Sequence, residues 1–115
     1  MLICLARQYL NIDGVMADAM DSGDILRFYG SLEASLRFLI AFKFRRLFGE
    51  TFEEMAEREP WRLYRALREA LGEHNADMVL NMFREWLVRK GEVVDLRTLR
   101  AMLSDERAWA KMVRS

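Results

Sequence analysis

The chain is short of the residues that interrupt helices. Its 115 residues include one proline, Pro60, and six glycines. Few segments alternate apolar and polar side chains with the period of two that a half-buried strand needs. Together these shortages exclude a strand-rich fold with many tight turns and predict an all-helical one. Cysteine is scarcer still. Cys4 stands alone, so no intrachain disulfide can form, and the fold is not expected to depend on an oxidising compartment. A single histidine, His74, and the lack of a glycine-rich phosphate loop leave little material for a catalytic constellation. Excess charge is missing too: 18 basic residues balance 18 acidic ones, which removes any global pull towards nucleic acid or acidic lipid.

Long apolar runs are also absent. Outside the first ten residues the longest, Phe38 to Phe42, is far below the roughly 20 residues needed to span a bilayer. The opening "MLICLARQYL" has an apolar run broken at Arg7 and no basic segment before it, so it reads as a helix rather than a signal peptide. The expectation is a cytoplasmic protein with no cofactor and no membrane partner.

What is present is the composition of a folded domain, 52% hydrophobic and 31% charged, at a length that suits one core. Arginine supplies 15 of the 18 basic residues, which favours planar, bidentate ion pairs. The whole chain, 1–115, reads as a single domain: a compact all-α bundle of five to seven helices around a long central helix.

Punctuation places the elements. Leu2, Leu5, Ala6 and Tyr9 define a first amphipathic segment, followed by an apolar stretch through Val15, Met16 and Met20. Asp21 or Ser22 can cap a long helix running to Phe48, with Gly30 as its weak point and Gly49 as its end. Thr51-Phe52-Glu53-Glu54 has the spacing of a capping box and predicts a helix start. Pro60 suits the first position of the next helix, whose apolar side is Trp61, Tyr64, Leu67, Ala70 and Leu71, ended by Gly72 in a left-handed conformation. Asn75 can cap a further helix with a stripe of Val79, Met82, Phe83, Trp86 and Leu87, ending near Gly91. Asp95 and Ser104 are caps for two short closing helices.

Each candidate for chemistry has a plainer reading. His74 lies near Glu73 and Asp77, but zinc takes three or four protein ligands, so a solvent-facing histidine is expected. Cys4 has only Arg7 to favour a thiolate and reads as a buried, inert thiol. Glu50, Glu53, Glu54, Glu57 and Glu59 offer paired carboxylates, yet acidic residues in a first helical turn are favoured by the helix dipole alone.

Arg62, Arg65 and Arg68 recur along the proline-started helix, and Arg84, Arg89 and Lys90 lie on or after the next. The turn "LGEHN" joins the two as a helix-turn-helix would at about 60–90, and "LVRKGEVV" could form a small wing. That pattern supports DNA binding as an alternative function. Against it, the second helix opens Asn75-Ala76-Asp77, with an acid where base-reading helices present polar or basic groups. Glu69 and Glu85 are also placed to pair with Arg65 and Arg84.

The densest aromatic stretch is "FLIAFKFRRLF". On a continuous helix, Ile25, Phe28, Tyr29, Leu32, Leu36, Leu39 and Leu47 form the core stripe, leaving Phe38, Phe42, Phe44 and Phe48 off it. A helix apolar over so much of its circumference is either surrounded by its own domain or shared with another chain. The second outcome would make Phe38, Phe42, Phe44 and Phe48 a homo-oligomer or protein-partner interface with Arg37, Arg45 and Arg46 at its rim.

The stretch Leu36 to Leu87 carries Leu47 to Gly49, then Pro60, Tyr64 and Leu67, then Leu71-Gly72 before another amphipathic helix. In these features it resembles the small all-helical output domains of archaeal signal-transduction proteins. The resemblance covers about half the chain and brings no catalytic motif; it implies a non-enzymatic regulatory interaction module.

Overall fold

The computed structural model describes residues 20–112, and the expectations for Cys4 and the first amphipathic segment lie outside them. The described residues form seven α-helices and no strand. In chain order these are α1 (Ser22–Ser31), α2 (Ala34–Phe48), α3 (Phe52–Arg58), α4 (Leu63–Leu71), α5 (Glu73–Arg89), α6 (Leu96–Met102) and α7 (Glu106–Met112).

Local chemistry sets most of the boundaries. Asp21 caps α1 by accepting from the Asp24 amide at 3.0 Å, while the Asp24 carboxylate accepts from the Asp21 amide at 3.2 Å. Thr51 and Glu54 make the same reciprocal pair at the start of α3, at 3.0 and 2.9 Å. Each pair satisfies two amides that the helix leaves without partners. Asp95 caps α6 through the Thr98 amide at 2.7 Å. Gly49 ends α2 at φ 72°, ψ 11°, the left-handed region that costs a glycine little. At the end of α5, the Gly91 and Glu92 amides fold back onto the Val88 and Leu87 carbonyls and close the helix, in the segment the DNA-binding alternative would use as a wing.

Four boundaries differ from the sequence expectation. The long helix from Ser22 to Phe48 is two helices, broken where Leu32 is extended (φ −67°, ψ 152°). The freed carbonyls are taken up locally: Ser31 Oγ donates to Phe28 at 2.6 Å, and the Arg37 guanidinium donates to Gly30 and Leu32 at 3.2 and 2.9 Å. The longest helix among the described residues is therefore α5, with 17 residues. Pro60 opens a single 3₁₀ turn, Pro60–Arg62, ahead of α4. Asn75 does not cap α5, which begins at Glu73; its side-chain amide instead donates to the Leu71 carbonyl at the end of α4 at 3.0 Å. Asp105, not Ser104, caps α7, accepting from the Ala108 amide at 3.0 Å. A carboxylate outcompetes a hydroxyl for that amide, and the Ser104 hydroxyl is left buried without a partner.

The core lies between the α4–α5 pair and the helices around it. Phe28 of α1 stacks on Phe83 of α5 with centroids 4.8 Å apart, and Tyr29 stacks on Phe52 of α3 at 4.3 Å. Phe44 of α2 meets Phe52 at 5.7 Å, completing an aromatic seam from α2 to α1. The Tyr64 amide, at the start of α4, donates to the Leu103 carbonyl at 3.0 Å, which fixes the α6–α7 corner on the same core. No helix among the described residues is long and apolar enough to cross a membrane.

Candidate functional site

The break at Leu32 re-phases α2 and decides which of its rings face inwards. Ile40 and Phe44 are fully buried, and Leu36 and Phe48 pack against the core beside them. Phe48 meets Phe44 edge-on at 5.1 Å. These two phenylalanines belong to the core, as in the outcome where the domain surrounds the helix, so an interface with another chain would not include all four rings. Leu39 and Leu47, expected in the core stripe, are instead exposed. Among its larger helix contacts α2 packs on α4 and α3, so Phe38 and Phe42, half a turn from Ile40, lie on the uncovered side; Leu39 lies at the edge of that side, and Leu47, in the last turn, is exposed although it is on the Ile40 side.

That outer face carries Phe38 at 73% exposure and Phe42 at 52%, one turn apart, with Leu39 alongside. A ring left this exposed forgoes roughly 1 to 2 kcal/mol of burial, which sets the face apart from a scatter of single apolar residues. Arg45 and Arg46 stand exposed in the last turn of α2, where the helix dipole favours cations. Arg37, expected at the rim, instead braces the end of α1 through the carbonyls of Gly30 and Leu32.

Beside Phe38 runs an open groove of about 420 Å³, lined by Tyr29, Ala34, Arg37, Phe38, Ala41 and Glu53. The two alanines make the depression by leaving space between the larger side chains. Burial, reinforced by the nearby Glu53 carboxylate and offset by Arg37, pushes the Tyr29 phenol up to about 12. Its hydroxyl donates to the Arg37 carbonyl at 3.2 Å, so the groove floor is neutral and fixed.

Of the six basic residues of the alternative DNA-binding surface, Arg62, Arg68, Arg84 and Lys90 already have partners within the protein. Arg62 pairs with Glu59 at 2.6 Å and Glu50 at 3.4 Å, and Glu50 also holds Arg58 at 2.7 Å. Arg68 lies over the Tyr64 ring at 5.8 Å. Arg84 donates to Asn81 at 3.1 Å and lies 4.0 Å from Glu85. Lys90 pairs with Asp24 and rests 5.0 Å from the Trp86 ring centre. Arg65 and Arg89 are exposed with no charged partner among the described residues; the expected Arg65–Glu69 pair is not made.

The remaining candidates separate. His74 is exposed in the first turn of α5 beside Glu73. Asp77 is turned to the protein, accepting from the Tyr64 hydroxyl at 2.5 Å with Arg100 at 3.5 Å. Burial and the hydrogen bond to Asp77 push the Tyr64 phenol up. Sequence reasoning missed this cluster, since its members lie on α4, α5 and α6, and it missed the Asp24–Lys90 pair for the same reason. A single continuous phase puts Leu39 on the core side of α2, yet it is exposed; the non-helical bias of Ser31 and the weak Gly30 mark where the phase can change.

Comparison of this chain with protein-family models, curated proteins and solved structures found no match.

Proposed function

We propose that this protein is a helical interaction module that works by contact rather than catalysis, with the outer face of α2 as its docking surface. The observation that carries the reading is the pair Phe38 and Phe42, exposed one turn apart and backed by the buried Ile40–Phe44 side of the same helix. Exposed aromatic anchors beside a groove, with arginines near them, are the composition of an interface centre and rim. A regulatory role in the cytoplasm, of the kind implied by the resemblance to signal-transduction output domains, belongs to this proposal.

The DNA-binding alternative has less support. Arg62, Arg84 and Lys90 already engage acidic groups, Arg68 is stacked on Tyr64, and the start of α5 presents Glu73. Phosphate contact would require breaking several of these pairs.

Site-specific photocrosslinking tests the proposal. A photoreactive phenylalanine analogue at position 42 of the full chain, expressed in its own host, should give discrete protein adducts. The same analogue at Val93, which is 91% exposed, is the control. Equal, diffuse labelling at both positions counts against α2 as a docking surface. Tight, salt-dependent binding to mixed duplex DNA would support the alternative instead.

A further inference from the structure

The outer face of α2 is complementary to itself when reversed, and the geometry points to a second copy of this chain, packed antiparallel, as its occupant. This inference rests on the reading of α2 as a docking surface. A two-fold axis through the outer face at the level of Ile40 exchanges Phe38 with Phe42, because each lies two residues, or about 3 Å, along the helix from that level. Each ring then meets the other copy's opposite ring, which is the self-complementary pairing a two-fold interface requires. Phe38 also borders the groove that contains Ala34 and Ala41, so the incoming Phe42 has a depression to enter.

The charges follow the same symmetry. The C-terminal end of α2 carries Arg45 and Arg46, about 7.5 and 9 Å beyond Ile40. The N-terminal end carries Glu33, about 10.5 Å in the other direction, and Glu53 stands over the groove from α3. Arg37 shares that end, but its guanidinium is committed to the Gly30 and Leu32 carbonyls. Reversal therefore lays each basic end over the other copy's acidic end and opposes the two helix dipoles. A parallel arrangement would place Arg45 and Arg46 against their own copies and gains nothing from Glu33.

The exposed parts of Phe38 and Phe42 amount to roughly 250 Å² per copy, taking about 200 Å² for a whole ring. A standard interface covers about 800 Å² per partner. The rings thus supply a centre and the charged ends a rim, and the association is reversible rather than obligate.

Sedimentation of the full chain up to about 1 mM, the weak limit of specific association, tests the inference. The wild type should dimerise. The double variants Arg45→Glu/Arg46→Glu and Glu33→Arg/Glu53→Arg each place like charges together at both ends of the interface. Each alone should raise the dissociation constant at least tenfold, and an equimolar mixture should recover wild-type dimerisation, because the heterodimer restores opposite charges at both ends. All four positions are exposed, and circular dichroism verifies that each variant is folded.

A wild type that stays monomeric overturns the second-copy inference, while position-42 adducts to another protein would leave the docking-surface reading standing. Self-association abolished by Phe42→Asp but not recovered by mixing the charge variants overturns the antiparallel geometry alone. Self-association that survives Phe42→Asp runs through a surface other than the outer face of α2 and overturns the inference.

Discussion

Lys90, the residue that closes α5, donates to the buried carboxylate of Asp24 in the first turn of α1, 66 residues earlier. Asp24 is 4% exposed and also accepts from Arg27 at 2.7 Å while helping to cap its own helix through the Asp21 amide. One carboxylate thus ends the capping motif of α1 and ties that helix to the end of α5.

Acid should loosen this tie. Burial raises the Asp24 carboxyl, but the hydrogen bonds from Lys90, Arg27 and the Asp21 amide outweigh it and hold the group below its ordinary 3.8. A carboxyl lowered in the folded state contributes stability that is fully present above its unfolded value and is lost as the pH falls through its folded value. Lys90→Met removes a principal lowering influence, so burial then governs the group. The variant should be less stable at neutral pH by about 1 to 3 kcal/mol and should lose less further stability on acidification. Urea unfolding at pH 7 and pH 3.5 measures both; parallel losses in wild type and variant would exclude this role for the pair.

Phe42 and Phe44 should respond oppositely to truncation, though they are two residues apart. Phe44→Ala empties a fully buried site among Phe48 and Phe52 and should cost about 3 to 5 kcal/mol. Phe42→Ala should change stability by less than about 1 kcal/mol in the dilute monomer, because the ring is half exposed. Thermal unfolding at low protein concentration separates them, and a large loss from Phe42→Ala would assign its ring to the core.

Thr51→Ala deletes the acceptor for the Glu54 amide and should cost about 1 kcal/mol. Thr51→Asp keeps an acceptor at the same place and should retain most of the stability. If alanine and aspartate behave alike in chemical denaturation, the capping box does not stabilise α3.

Tyr64→Phe removes the donor to Asp77 while leaving the ring between Arg68 and Arg100, which lie 5.8 and 5.6 Å from its centre. The loss should be about 1.5 to 3 kcal/mol, typical of a hydrogen bond to a charged group. Arg100→Met should act on the same unit, so the double variant should fall short of the sum of the two losses. Additive losses would show that Arg100 and Tyr64 act separately on Asp77.

Much of the local structure was legible in advance. The shortage of proline and glycine fixed the helical class, and Asp21, Gly49, Thr51, Gly72, Gly91 and Asp95 marked boundaries because each acts on amides or carbonyls within a few residues. Asn75 and Ser104 misled because a neighbouring group did their work: Gly72 begins α5 directly, and Asp105 supplies the stronger acceptor.

The aromatic stretch divides the two kinds of information most clearly. From the sequence alone came the helix, its end at Gly49 and an apolar surface too wide for one packing face. Tertiary structure decided which rings were inside, because the interruption at Leu32 rotates α2 relative to α1 and the larger helix contacts of α2, with α4 and α3, leave the Phe38 and Phe42 side uncovered. The Asp24–Lys90 tie likewise had no sequence signal, since a contact across 66 residues depends on where the intervening helices turn. Helical period and capping act over one or two turns; the phase between helices and the side that meets water are settled only when the whole core packs.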